Sequence, residues 1–223
     1  MSTFGKGAVS AALGLVAFGL LLFLPAGTFD YWQAWVFLAV FTLSTWIPSV
    51  YLLRTSPDAL QRRMRGPLAE TRTVQRIVIA AIYVCFPAMF VVSALDHRFG
   101  WSAVPAAVCL VGDVLVAIGL GEAMLVVVQN VYAAVNVTVE AGQQLVATGL
   151  YGLVRHPMYT GNIILMVGIP LALGSYWGLL FVVPGLVVLV VRIRDEEKML
   201  VQELDGYSEY RNQVRYRLVP RVW

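Results

Sequence analysis

Long apolar runs, separated by short polar interruptions, set the architecture of this chain. Residues 8–25, 32–53, 77–95 and 101–128 each approach the ~20 predominantly apolar residues that a bilayer-crossing helix needs. The run 161–191 exceeds one crossing and breaks at Leu-Gly-Ser-Tyr-Trp-Gly, residues 173–178. It is read as two spans of about 15 residues joined by a tight turn, a membrane helical hairpin. The pattern predicts an all-α polytopic integral membrane bundle of about six spans, including this C-terminal hairpin. Between the first two runs, Phe29, Tyr31, Trp32 and Trp35 form an aromatic cluster of the kind that sits at a membrane interface. The opening run, preceded by Lys6, resembles a secretory leader, but this aromatic cluster stands where a small-residue cleavage site would be, so the run is read as a retained span. Pro48 is expected to kink the second span.

Composition agrees. Of 223 residues 59% are hydrophobic and only 13% charged, against the ~25% charged residues of an ordinary soluble domain. The net charge of +3 is distributed unevenly. Arg54, Arg62, Arg63, Arg65, Arg72 and Arg76 crowd residues 54–76 against only Asp58 and Glu70, which marks that loop as cytoplasmic. Both termini then also lie on the cytoplasmic side, of what is read as a bacterial inner membrane, and the loop is expected to rest on anionic headgroups. The opposite turn, with His97 and Arg98, is expected to be solvated. Cys85 and Cys109 lie in apolar runs without metal or redox spacing and are read as small buried hydrophobes. Neither a metal site nor nucleic-acid binding is expected.

Candidate chemistry sits where the apolar pattern fails. In the fourth span, Asp113 and Glu122 are nine residues apart and so fall on opposite faces at about 100° per residue. Asp113 is assigned a structural hydrogen bond to a neighbouring helix. Glu122 shares a face with Gln129, continuing toward Asn130 and Asn136, and both Glu122 and Gln129 are expected to line a cavity on the substrate side. Residues 149–161, Gly-Leu-Tyr-Gly-Leu-Val-Arg-His-Pro-Met-Tyr-Thr-Gly, gather Tyr151, Arg155, His156 and Tyr159. Pro157 suits the first position of a helix, whose free amides and positive dipole end make a candidate anion site beside Arg155 and His156. In the tail, Arg192 and Glu196 lie one turn apart on one face, and the hairpin returns them, with Glu197, to the rim that carries Arg155 and His156.

The Arg-His-Pro-Xaa-Tyr-Xaa-Gly element at 155–161, the hairpin, the Glu196/Glu197 pair and the Pro-Xaa-Val-Trp ending together resemble the isoprenylcysteine carboxyl methyltransferase family, and more distantly the membrane phospholipid methyltransferases. The resemblance covers roughly residues 130–223, and divides the chain into an N-terminal four-span region, 1–128, and a methyltransferase core, 129–223. It implies S-adenosylmethionine bound on the cytoplasmic side. Tyr151, Arg155, His156, Tyr159 and Gly161 would belong to the cofactor site, with Glu196 and Glu197 beside it. Arg192 would orient an acceptor carboxylate, so Arg192 and Glu196 are the expected catalytic residues. The expected partner is a lipophilic or prenylated acceptor drawn from the membrane. An amine or phospholipid acceptor would instead give Glu196 or Glu122 the role of base. A nicotinamide-dependent membrane reductase and a non-enzymatic transporter or scaffold are the remaining readings.

Overall fold

The computed structural model describes residues 3–64, 70, 72–133, 138–140 and 142–223, with the backbone alone at 3–11 and 63–64. Arg65 and Asn136 therefore lie outside the described residues, as does the side chain of Arg63. The described chain is helical, with no strand: α1 (Thr3–Ala26), α2 (Trp32–Thr55), α3 (Pro57–Met64), α4 (Thr73–Phe99), α5 (Ala106–Gln129), α6 (Pro157–Ala172), α7 (Val182–Glu203) and α8 (Tyr207–Gln213). Helices spanning Trp32–Thr55, Thr73–Phe99, Ala106–Gln129 and Trp177–Glu203 are long and apolar enough to cross a membrane. The apolar stretches Ala12–Ala26 and Pro157–Ala172 are shorter. Large side chains such as Leu24, Ile47, Val84 and Val183 point outward, as they should where the surroundings are hydrocarbon.

Glycine sets the closest helix contact. On α5, a Cβ at Gly112 would collide with the Ala172 backbone, and one at Gly119 would lie 2.8 Å from the Gly161 carbonyl oxygen. From α6, a Cβ at Gly161 or Gly168 would lie 2.9 or 3.0 Å from the Gly119 or Gly112 carbonyl oxygen. Both pairs are seven residues apart, two turns, so one face of each helix is bare backbone and the axes approach closely. Around this pair, Phe18, Phe37, Phe41, Phe86 and Phe90 interlock with centroids 4.8–5.7 Å apart and fill the space between α1, α2 and α4.

The hairpin forms, with unequal arms. After α6 the chain turns at Gly174, whose φ of 71° is the left-handed conformation glycine tolerates. A 3₁₀ turn, Trp177–Phe181, leads into α7, which runs on to Glu203, far past the apolar stretch. At this end of the bundle, Asp96 accepts hydrogen bonds from the Ser102 amide and hydroxyl, both at 2.7 Å, and from the Ser175 hydroxyl at 2.6 Å. Tyr31 donates to the Leu173 carbonyl at 2.7 Å and stacks on His97 at 3.9 Å. His97 is therefore half-buried in the last turn of α4, not a solvated loop residue.

Two more expectations are corrected. The arginine-rich stretch does more than lie on headgroups: it contains α3, and its arginines reach across the bundle. Arg62 pairs with Glu140 at 3.1 Å, and Arg72 makes a two-pronged contact to Asp195 at 2.8 and 3.0 Å, reinforced by Gln75 at 2.7 Å. Asp113 is buried in α5, and neither carboxyl oxygen has a hydrogen-bond partner among the described residues, so the expected bond to a neighbouring helix is not made there.

Candidate active site

The site begins at a turn. Gly149 has a φ of 63°, and the Gln129 side chain fills the space a Cβ would need, its carbonyl oxygen accepting the Leu150 amide at 2.9 Å. The 3₁₀ turn Gly149–Gly152 then delivers Tyr151, whose hydroxyl accepts from Asn130 at 3.2 Å and whose carbonyl accepts from the Tyr210 hydroxyl at 2.7 Å. Burial, outweighing the Asn130 bond, pushes the Tyr151 hydroxyl up to about 12, so it is a neutral donor at physiological pH. Burial likewise raises Tyr207 and Tyr210 on α8, and the nearby Glu197 carboxylate pushes in the same direction.

After α8 the tail folds back over the Arg-His-Pro element. The Arg155 amide donates to the Tyr216 carbonyl and the His156 amide to the Arg217 carbonyl, both at 2.9 Å. Thr160 adds a bond to the Leu218 carbonyl at 2.8 Å. At the junction sits Glu197, buried, with one oxygen 2.7 Å from Arg155 Nε and 3.3 Å from His156 Nε2 and the other 2.9 Å from Arg217 Nε. The remaining reach of Arg155 goes to the Val214 and Arg215 carbonyls at 2.8 Å. Arg155 and His156 thus face a carboxylate and tail carbonyls as well as the start of α6, and their first role is to hold the tail down.

Glu196, the neighbouring residue, faces the other way. Its carboxylate accepts the Tyr159 hydroxyl at 2.5 Å, and that same hydroxyl accepts from Arg192 Nε at 2.8 Å. Arg192 and Glu196, one turn apart on α7, are joined through a tyrosine from α6. Their side chains, with those of Tyr151, Arg155, His156 and Tyr159, line a cavity of about 640 Å³, within the range of small-molecule sites. Its polar end is completed by Gln143, Gln144, Tyr207 and Tyr210, and its apolar end runs between α1 and α4.

Four expected site residues are placed elsewhere. Gly161 packs on the Gly119 carbonyl, Glu122 lies against Gly161, Gln129 supports the Gly149 turn, and Glu197 is taken up by Arg155, His156 and Arg217 behind the wall; none of the four lines the cavity. The face shared by Glu122 and Gln129 is turned toward α6 and the turn before it. Sequence reasoning missed Arg217, Tyr207 and Tyr210. For the tyrosines a signal existed, a three-residue spacing on one face of a short helix; for Arg217 it did not, because its partner is twenty residues away.

Residues 107–206 match the family model for phospholipid methyltransferase. The match runs from the start of α5 to the turn before α8, and supports over that stretch the kinship with membrane methyltransferases drawn from the Arg-His-Pro element. A Delta(14)-sterol reductase from Mus musculus is 34% identical over 85 residues, 37% of this chain, and the chain spans only 20% of that protein's length. Among solved structures, a eukaryotic intramembrane Ras methyltransferase, isoprenylcysteine carboxyl methyltransferase, superposes with a TM-score of 0.43 at 14% identity, over 96% of this chain and 85% of the other.

Proposed function

We propose that the protein is a membrane methyltransferase that uses S-adenosylmethionine to methylate a lipophilic acceptor, most readily a carboxylate. The observation that carries this reading is a single cavity with polar, hydrogen-bonding walls at one end and hydrocarbon walls at the other, whose Tyr151, Arg155, His156, Tyr159, Arg192 and Glu196 come from the stretch that matches a methyltransferase family. The residues present fit the cofactor. Its ammonium and sulfonium suit the Glu196 carboxylate, its carboxylate suits the Arg155, His156 and α6 amino-terminal edge, and its nucleoside suits the tyrosines and amides of the polar end. When bound, it supplies an electrophilic methyl group whose transfer consumes a positive charge.

The chain's own residues supply position and dryness. Glu197 fixes the tail and the Arg-His-Pro element as one wall. Tyr159 sets the spacing between Arg192 and Glu196, so the cation that orients an acceptor carboxylate and the anion that faces the cofactor's charge stay on opposite sides of one hydroxyl. An acceptor carboxylate needs no base, and Arg192 suffices to hold it. The phospholipid methyltransferase match favours a second acceptor class, an amine, for which Glu196 would take the proton. The sterol reductase match favours a third reading, a nicotinamide-dependent reductase.

Calorimetric titration of the detergent-purified protein with S-adenosylmethionine, its demethylated product and NADPH separates them. Binding of the first two, weakened by His156→Ala and spared by Arg192→Ala, is expected, with turnover of a lipophilic acid abolished in Arg192→Ala. Binding of NADPH alone would overturn the reading in favour of the reductase.

A further inference from the structure

The turn of α7 that carries Arg192 and Glu196 holds three consecutive acids, Asp195, Glu196 and Glu197. Successive residues step about 100° around a helix, so each faces a different neighbour. Glu197 goes to Arg155, His156 and Arg217, Glu196 to Tyr159 on α6, and Asp195 to α4. On the α4 side the contact is double. Arg72, just before α4, donates to both Asp195 oxygens at 2.8 and 3.0 Å, while Gln75 Nε2 donates to Asp195 Oδ2 at 2.7 Å and to the Arg192 backbone carbonyl at 3.3 Å. One side chain thus grips both ends of the segment 192–195. Gln75 is fully buried, and its Oε1 has no partner among the described residues. Exchanging the amide nitrogen and oxygen would set an oxygen against two acceptors and lose both bonds, so the orientation is fixed. A buried acceptor left unpaired subtracts from stability, so what Gln75 secures is geometry. It stands one turn before Ile79 on the α4 face that lines the cavity, and ties that wall to the residue lining the polar end.

Resting on the methyltransferase reading, in which Arg192 orients an acceptor carboxylate, we propose that Gln75 and Arg72 are positioning residues for Arg192. They hold α7 at the rotation that aims its guanidinium into the cavity. Both lie outside residues 107–206, the stretch that matches the methyltransferase family.

The test uses the full chain in detergent, titrated by calorimetry with decanoate, a lipophilic acid, and with decanol, its neutral counterpart of the same chain length. The unaltered protein is expected to bind decanoate more tightly than decanol, and Arg192→Ala to lose that preference. Two variants probe the grip on α7: Gln75→Met keeps the length of the side chain and removes its hydrogen bonds, and Arg72→Gln breaks the two-pronged contact at a partly exposed position. Each should lose most of the preference while decanol binding and the thermal melt stay near those of the unaltered protein. A purely structural role would weaken both ligands alike. Full preference kept in both variants, equal weakening of the two ligands, or no preference in the unaltered protein would overturn the proposal. S-adenosylmethionine titration of the same samples is expected to be indifferent to Gln75→Met and Arg72→Gln. Failure of that titration in the unaltered protein would remove the methyltransferase reading, while the decanoate preference still decides the role of Gln75 and Arg72.

Discussion

Glu197 is where the site is most easily broken. It is a buried carboxylate with three cationic or ring partners, and they come from two segments, the Arg-His-Pro element and the tail. Glu197→Gln keeps the shape but leaves the buried Arg155 guanidinium without its counter-charge, a change that costs about 3–5 kcal/mol in comparable buried pairs. A thermal melt in detergent should show a large loss in Glu197→Gln, and cofactor titration a loss of binding. Tyr159→Phe is the milder experiment, since it removes one hydroxyl from between Arg192 and Glu196. It should leave the melt within about 1–2 kcal/mol of the unaltered protein while reducing turnover. Tyr151 gives the pH dependence. Its hydroxyl is raised to about 12 from an ordinary value near 10, so the folded state holds that proton more tightly. The contribution is fully present below pH 10 and is lost as pH rises toward 12. Melts across that window should fall less steeply in Tyr151→Phe.

At the level of elements, the α5–α6 contact is the strictest constraint. Gly112→Ala places a methyl group into the Ala172 backbone, which cannot move aside as a side chain could. Overpacking of this kind typically costs about 1–3 kcal/mol. Gly121→Ala, on the same helix but with nothing within 4 Å, serves as its control and should be neutral or slightly stabilising in the same melt. These elements also show what could be read from the chain alone. The spans were legible because hydropathy and length are local properties, and Pro157 marked the start of α6 correctly. The charged continuation of the last span was legible too, from the four-residue spacing of Arg192 and Glu196, and α7 runs on to Glu203 with Asp195, Glu196 and Glu197 each bonded to partners on other elements. Gly161 reads equally well as a ligand-approach glycine and as a helix-contact glycine. Only the position of Gly119 decides between them.

Across the whole molecule, ion pairs and backbone bonds tie distant segments at one end of the bundle. Arg72 joins the start of α4 to α7 between the two proposed catalytic residues, and Arg62 joins α3 to the loop before residue 149. Neither pairing was legible, because arginine-rich loops also arise from topology alone and nothing local distinguishes the two origins. The basic segments and the tail therefore share a face, and we propose that this face is cytoplasmic. In a variant lacking Cys85 and Cys109, a cysteine at position 98 should react with an impermeant reagent applied to intact cells, and one at position 211 should not. The reverse pattern would invert the molecule.

The fold-back of residues 214–218 onto Arg155 and His156 also has a consequence for biosynthesis. Its partners are some 60 residues apart in sequence, with a complete membrane hairpin between them. Insertion of the spans can finish while that wall of the site is still missing, because the segment that completes it is the last of these to leave the ribosome. A nascent chain stopped after Glu203 would be fully embedded yet would expose the buried charges of Arg155 and Glu197, a distinction by which quality control could tell a finished molecule from an interrupted one.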